Sequence, residues 1–134
     1  MSRYVTDTHA LIWHLYSDSK LSPTCQAIFA RADAGEDAIV IPTIVLIETL
    51  YLAEKKRIPD DAMRRSLALI LAGADNYQVA SLDMTVVHAM SRIDRATVPE
   101  LPDRIIAATA LGLGLPLLSR DFSVTSVSIL TVIW

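Results

Sequence analysis

Apolar residues in this chain fall into short unbroken runs, and between those runs they recur at helical spacing. Tyr4-Val5-Thr6 is aromatic and β-branched, which predicts a first strand. Ala10 to Trp13 then read as the opening turns of a helix, within a short apolar stretch reaching Tyr16. Ser22-Pro23 supplies a cap and a proline at the first helical position, predicting a helix to about Ala34. After the polar turn Gly35-Glu36-Asp37, Ala38-Ile39-Val40-Ile41 predicts a second strand. Pro42-Thr43 opens a long helix through Ile44, Ile47, Tyr51 and Leu52 to Lys55-Lys56-Arg57, a basic run suited to the negative end of the helix dipole.

Pro59-Asp60-Asp61 starts another helix, with Met63, Leu67, Ile70 and Leu71 on one face, and the stretch from Gly73 to Asn76 breaks it. Tyr77 to Ala80 predicts a third strand, and Asp83 caps a helix reaching about Arg95. A loop over Thr97 to Leu101 precedes a helix from Pro102 to near Gly112 and Gly114. Pro116 to Ser119 and Ile129 to Ile133 predict the last two strands. The strands alternate with helices and are continuously apolar, the pattern of a parallel sheet covered on both faces. The predicted fold class is α/β: a three-layer α/β/α sandwich with a central parallel sheet of about five strands. One domain is expected over residues 1–134, without repeats or linkers.

Composition narrows the function. A chain of 134 residues buries a core without staples. The single cysteine, Cys25, excludes an internal disulfide and fits a reducing, cytoplasmic setting. No leader-like segment opens the chain and no apolar run reaches bilayer length, so no membrane is expected. A net charge of −3 argues against a nucleic-acid binder, which usually carries a basic patch. That objection weakens if four clustered acids hold cations, because the remainder then stands at +1. Hydrophobic residues make up 52%, enough to expect part of the surface in a subunit or partner interface.

Four acids draw attention by position. Asp7 stands where the first strand hands over to a helix, the edge at which open α/β sheets bind ligands, and Asp is also a favoured helix cap. Glu48 shares the apolar face of its helix with Ile44, Ile47, Tyr51 and Leu52, where an unpaired charge costs several kcal/mol. Asp103 opens a helix that runs back antiparallel to the fourth strand, and Asp121 follows that strand's carboxyl end. All four therefore reach one edge of the sheet. Like charges about 4 Å apart repel by roughly 4 kcal/mol at an effective dielectric of 20, so hard divalent cations are the natural neutralisers. Oxygen-only ligands select Mg²⁺ or Mn²⁺ over zinc, and such ions serve phosphoryl chemistry. Asp83 also follows a strand to that edge, and reads as an N-cap. The remaining acids, Glu100 among them, fall in turns, caps or solvated faces; His9, beside Asp7, is placed to line the cleft. Arg3, Lys55, Lys56, Arg57, Arg92, Arg95, Arg104 and Arg120 are the cations available to meet phosphates.

Asp7-Thr8-His9 and Ile41-Pro42-Thr43 leading to Glu48 resemble the opening of a PIN-domain nuclease. Pro102-Asp103-Arg104-Ile105-Ile106-Ala107-Ala108-Thr109-Ala110, then Leu118-Ser119-Arg120-Asp121, resemble its second half. The likeness covers essentially the whole chain, and its size and details are most similar to the VapC-type toxins of prokaryotic toxin–antitoxin pairs. The resemblance implies a metal-dependent endoribonuclease whose acidic quartet is Asp7, Glu48, Asp103 and Asp121, with Mg²⁺ or Mn²⁺ as cofactor. It implies an RNA substrate, a homodimer, and an antitoxin protein that blocks the cleft. Ser119 and Thr8 match supporting hydroxyl positions beside the acids. Four rivals stand beside this reading, one of them a haloacid-dehalogenase phosphatase, which needs a second Asp where His9 stands. A metallophosphoesterase shares the D-x-H opening but needs further His and Asn motifs. A phospho-receiver domain needs an acid pair after the first strand. A PIN-like domain without activity would act as a binding module.

Overall fold

The computed structural model describes residues 1–72 and 74–134; Gly73, in the expected helix break, lies outside the described residues. Strand β1 (Arg3–Thr6) lies at the centre, between β2 (Ala38–Pro42) and β4 (Leu117–Leu118). The sheet runs β3-β2-β1-β4-β5, with β3 at Tyr77–Ala80 and β5 at Val132–Ile133, and every pairing is parallel. Parallel pairing sends all five carboxyl ends to one edge. The strand order reverses direction between β1 and β4, which makes that junction the switch point where such sheets open a crevice.

The three central strands are apolar and largely buried because both faces of the sheet are covered. All of β2 is buried, as are Val5, Thr6, Leu117 and Leu118. Helices α1 (Thr8–Leu15), α2 (Pro23–Asp33), α3 (Thr43–Glu54), α4 (Ala62–Leu71), α5 (Met84–Met90) and α6 (Leu101–Leu113) supply the cover. Ser22 caps α2 as expected, accepting from the Cys25 amide at 3.1 Å with Pro23 in the first turn. Gly114 ends α6 in the left-handed region at φ 66, where a side chain is strained.

Several boundaries differ from the sequence expectation, each for a local reason. The basic run after α3 is not helical. Glu54 is the last helical residue, and Lys56 adopts φ 60 while its amide bonds to Ala53 and that of Arg57 to Leu52. This pair of bonds is a Schellman turn with lysine at the usual glycine position. Helix α5 stops at Met90 rather than Arg95, because the Arg104 guanidinium takes the carbonyls of Met90 and Ile93 at 2.8 to 3.1 Å. The last two strands shrink to two residues each, and a one-turn helix α7 (Phe122–Thr125) appears where no element was expected.

On the outer face, α3 and α4 pack together but leave Ile47, Leu50, Tyr51, Leu67 and Leu71 exposed. Ile70, expected on that exposed face, packs against the core instead.

Candidate active site

The crevice at the switch point is a cavity of about 450 Å³ whose lining includes Asp7, Glu48, Asp103 and Asp121. Each acid reaches it from a different element. Asp7 follows β1 and caps α1, its Oδ1 accepting from the Ala10 amide at 2.8 Å. Capping and lining the crevice are compatible, since the helix starts at the crevice wall. Glu48 stands in the second turn of α3, and its Oε1 accepts from the Thr8 hydroxyl at 2.6 Å. Thr8 is buried at the first position of α1, so β1's exit and α3 are tied together through this contact. Asp103 lies in the first turn of α6, beside Pro102. Asp121 follows β4 and caps α7, accepting from the amide and hydroxyl of Ser123 at 2.8 and 2.6 Å. Ser119, buried, accepts from the Asp121 amide at 3.1 Å and lends its hydroxyl to the support of the Asp7 charge, spanning the β1 and β4 exits.

The electrostatics follow from crowding. Burial pushes the Asp7 carboxyl up, against the support of Ser119 and the Ala10 amide, and the charge of Asp121 adds to the rise. Asp103 is pushed up to about 7, first by burial and then by the charge of Asp121, with Glu48 and Asp7 adding to it. Asp121 moves the other way: burial opposes its charge, but Ser123 and a hydrogen bond from Asp103 hold it below the ordinary range. Asp103 thus holds its proton well into the range where a free carboxyl is ionised, while Asp121 keeps the charge.

Among the described residues, no three Asp, Glu, His or Cys side chains are gathered to grip an ion as they stand. The chemistry of the donor set nonetheless suits a hard divalent cation. All donors are carboxylate oxygens, and the neighbouring charge that adds to burial in raising Asp103 is the charge such an ion would offset.

Two neighbours of the quartet went unrecognised in the sequence. Glu100, read as a solvated acid, lines the cavity as a fifth carboxylate. Ser123 anchors Asp121, and the D-x-S spacing was the available signal for its cap. Asp83 is separate: it caps α5 through the Val86 amide and faces another small cavity beside Thr85 and Thr109. His9, Trp13 and Arg120 complete the acidic cavity's rim. Of the other expected phosphate contacts, Arg3 sits at the opposite end of β1 and bonds Gln78 at 3.0 Å, and Arg104 is engaged at the end of α5.

A parallel α/β sheet with an acid-lined crevice at its switch point is thus the class of protein that the fold and cavity define. The chain belongs to the PIN domain family, whose profile matches residues 4–129. No curated protein matches the sequence. Solved structures do resemble it. VapBC2 from Rickettsia felis, bound to a promoter DNA fragment, has a TM-score of 0.71 at 14% identity, covering 98% of this chain and 97% of that one. DNA-bound VapBC from Salmonella typhimurium gives 0.68 at 20% identity, covering 99% and 98%. A toxin–antitoxin complex from Klebsiella pneumoniae gives 0.67 at 20% identity, covering 98% and 96%. At these identities the likeness speaks for the fold.

Proposed function

We propose that this chain is a metal-dependent endoribonuclease, a single PIN-like domain acting in the cytoplasm as the toxin of a toxin–antitoxin pair. The observation that carries the reading is the meeting of Asp7, Glu48, Asp103 and Asp121 in one crevice. Membership of the PIN domain family supports a nuclease, and the similar VapBC and toxin–antitoxin structures support an antitoxin partner.

Asp7 and Asp103 would hold the principal Mg²⁺ or Mn²⁺, with Glu48 and Asp121 completing the donor set. When bound, such an ion lowers the pKa of a water and offsets charge on the phosphate. The chain's own residues do the positioning. Thr8 fixes Glu48, Ser119 supports Asp7, and Ser123 fixes Asp121, so three of the four carboxylates keep their aim through a neighbouring hydroxyl. Arg120 at the rim offers a cation to the substrate strand. The exposed apolar face of α3 and α4, with Leu50, Tyr51 and Leu67, is read as the homodimer contact.

The test is cleavage of an RNA pool by wild type, Asp7→Asn and Asp83→Asn, each with and without chelator. Wild type and Asp83→Asn are expected to cut in Mg²⁺ alone, and Asp7→Asn to be inert while folded. Full activity of Asp7→Asn, or of wild type in chelator, refutes the metal mechanism. An intact protein inert under every condition favours a binding module.

A further inference from the structure

Beside the acidic crevice lies a second cavity of opposite character, about 340 Å³ in volume. It shares His9, Trp13 and Arg120 with the first, so the two are continuous across one wall. No acid lines it. Lys20, Arg57 and Arg120 supply its charge, while Ile12, Leu52 and Ile58 supply an apolar floor. Among the described residues Arg57 and Arg120 form no ion pair, and Lys20 has only a long 3.8 Å contact with Asp18. Unpaired cations around an apolar floor are poor stability devices and good ligands for an anion with a flat, apolar body.

The cavity is built from distant parts of the chain. Arg120 lies 4.5 Å over the Trp13 ring, Lys20 lies 5.9 Å from its centre, and Trp134 abuts it edge-on at 5.8 Å. Such stacking holds the Arg120 guanidinium in place without neutralising it. Arg57 arrives through the Schellman turn after α3, in which Lys56 takes up the left-handed conformation. An ordinary continuation of that helix would carry Arg57 elsewhere.

We infer that this second cavity seats the nucleotide adjoining the scissile phosphate of a single-stranded RNA, with Arg57 and Lys20 on its phosphate and its base against the apolar floor. The inference rests on the ribonuclease reading of the acidic crevice. An acidic cleft repels a polyanion, so a neighbouring cationic seat is what allows the strand to approach it. Free cations beside an apolar or aromatic surface are how single strands are held without sequence readout.

Binding is read without turnover, by fluorescence anisotropy of a labelled eight-nucleotide single-stranded RNA in chelator, and cleavage is read separately in Mg²⁺. Lys20 and Arg57 are exposed, so their substitution leaves the fold alone. Arg57→Ala and Lys20→Ala are each expected to weaken binding about five- to ten-fold and to flatten the log–log salt slope by about 0.7. In cleavage they raise KM with little change in kcat, and Arg57→Lys restores most of the loss. Wild-type binding and cleavage with unchanged affinity in both alanine variants overturns the seat and leaves the ribonuclease reading standing. Tripolyphosphate competing as well as RNA of equal charge overturns the nucleotide assignment in favour of a bare anion site. A wild type that neither binds nor cuts RNA removes both readings together.

Discussion

Replacing Asp103 by asparagine should make the protein more stable in chelator and less responsive to metal. The Asp103 carboxyl is pushed up from 3.8 to about 7 by burial and by Asp121, Glu48 and Asp7. Each unit is 1.36 kcal/mol, so holding it ionised costs the folded state about 4 kcal/mol before screening. The side chain is only half-buried, and solvent screening brings this to about 2 kcal/mol. The direction with pH follows from the raised value. The folded state binds the proton more tightly, so the cost is absent below about pH 4, grows through pH 5 and 6, and is complete above about pH 7. Asparagine removes the charge and still donates a hydrogen bond to Asp121. At pH 8 in chelator, Asp103→Asn should therefore melt roughly 6–10 °C above wild type, and at pH 5 the gap should shrink severalfold. Adding Mg²⁺ should raise the wild-type melting temperature by ligand linkage and move the variant far less. Thermal unfolding followed by circular dichroism measures all three conditions for both proteins. A variant that melts at or below wild type in chelator at pH 8, or a gap indifferent to pH, refutes the crowding argument.

Thr8→Val removes the 2.6 Å bond to Glu48 at nearly constant volume; it should lower kcat about ten-fold with KM near wild type, as steady-state kinetics would register. Gly114→Ala meets no neighbour but forces a β-carbon into φ 66, and should cost about 1 kcal/mol in urea unfolding. Asp37 is held low by the Arg31 guanidinium at 2.7 Å and the Ser2 amide at 2.9 Å, so its support is present above about pH 4 and lost as pH falls through its lowered value. Asp37→Asn should lower the melting temperature at pH 7 and flatten its fall in acid. Tyr51→Asp on the exposed face of α3 should yield a monomer by sedimentation at tens of micromolar, with the far-ultraviolet spectrum unchanged.

The sequence by itself determined the layers and the acids that meet at one edge. Fully apolar segments such as Ala38–Ile41, separated by helical periodicity, have no stable home but a parallel sheet covered on both faces, and parallel pairing alone sends every strand exit to one edge. Asp7, Glu48, Asp103 and Asp121 were legible because each stands at a fixed offset from an element end, and such offsets are local. The tertiary structure decided what depends on partners far away in the chain. Leu117–Leu118 and Val132–Ile133 are strands only because β1 and β4 lie beside them, so their true length is invisible in their own residues. Asp83 caps α5 as expected, whereas Glu100, expected in solvent, lines the crevice, since which acid faces it is set by how α5 and α6 pack rather than by the neighbouring letters. The end of α5 depends on Arg104 reaching back to carbonyls more than ten residues earlier. Arg57 meets Trp13 and Arg120 across one cavity only after α3 closes in a left-handed turn at a lysine, a conformation that residue rarely adopts. Local propensity is a sum over neighbours, whereas convergence of side chains is a property of packing, and packing exists only once the chain has closed on itself.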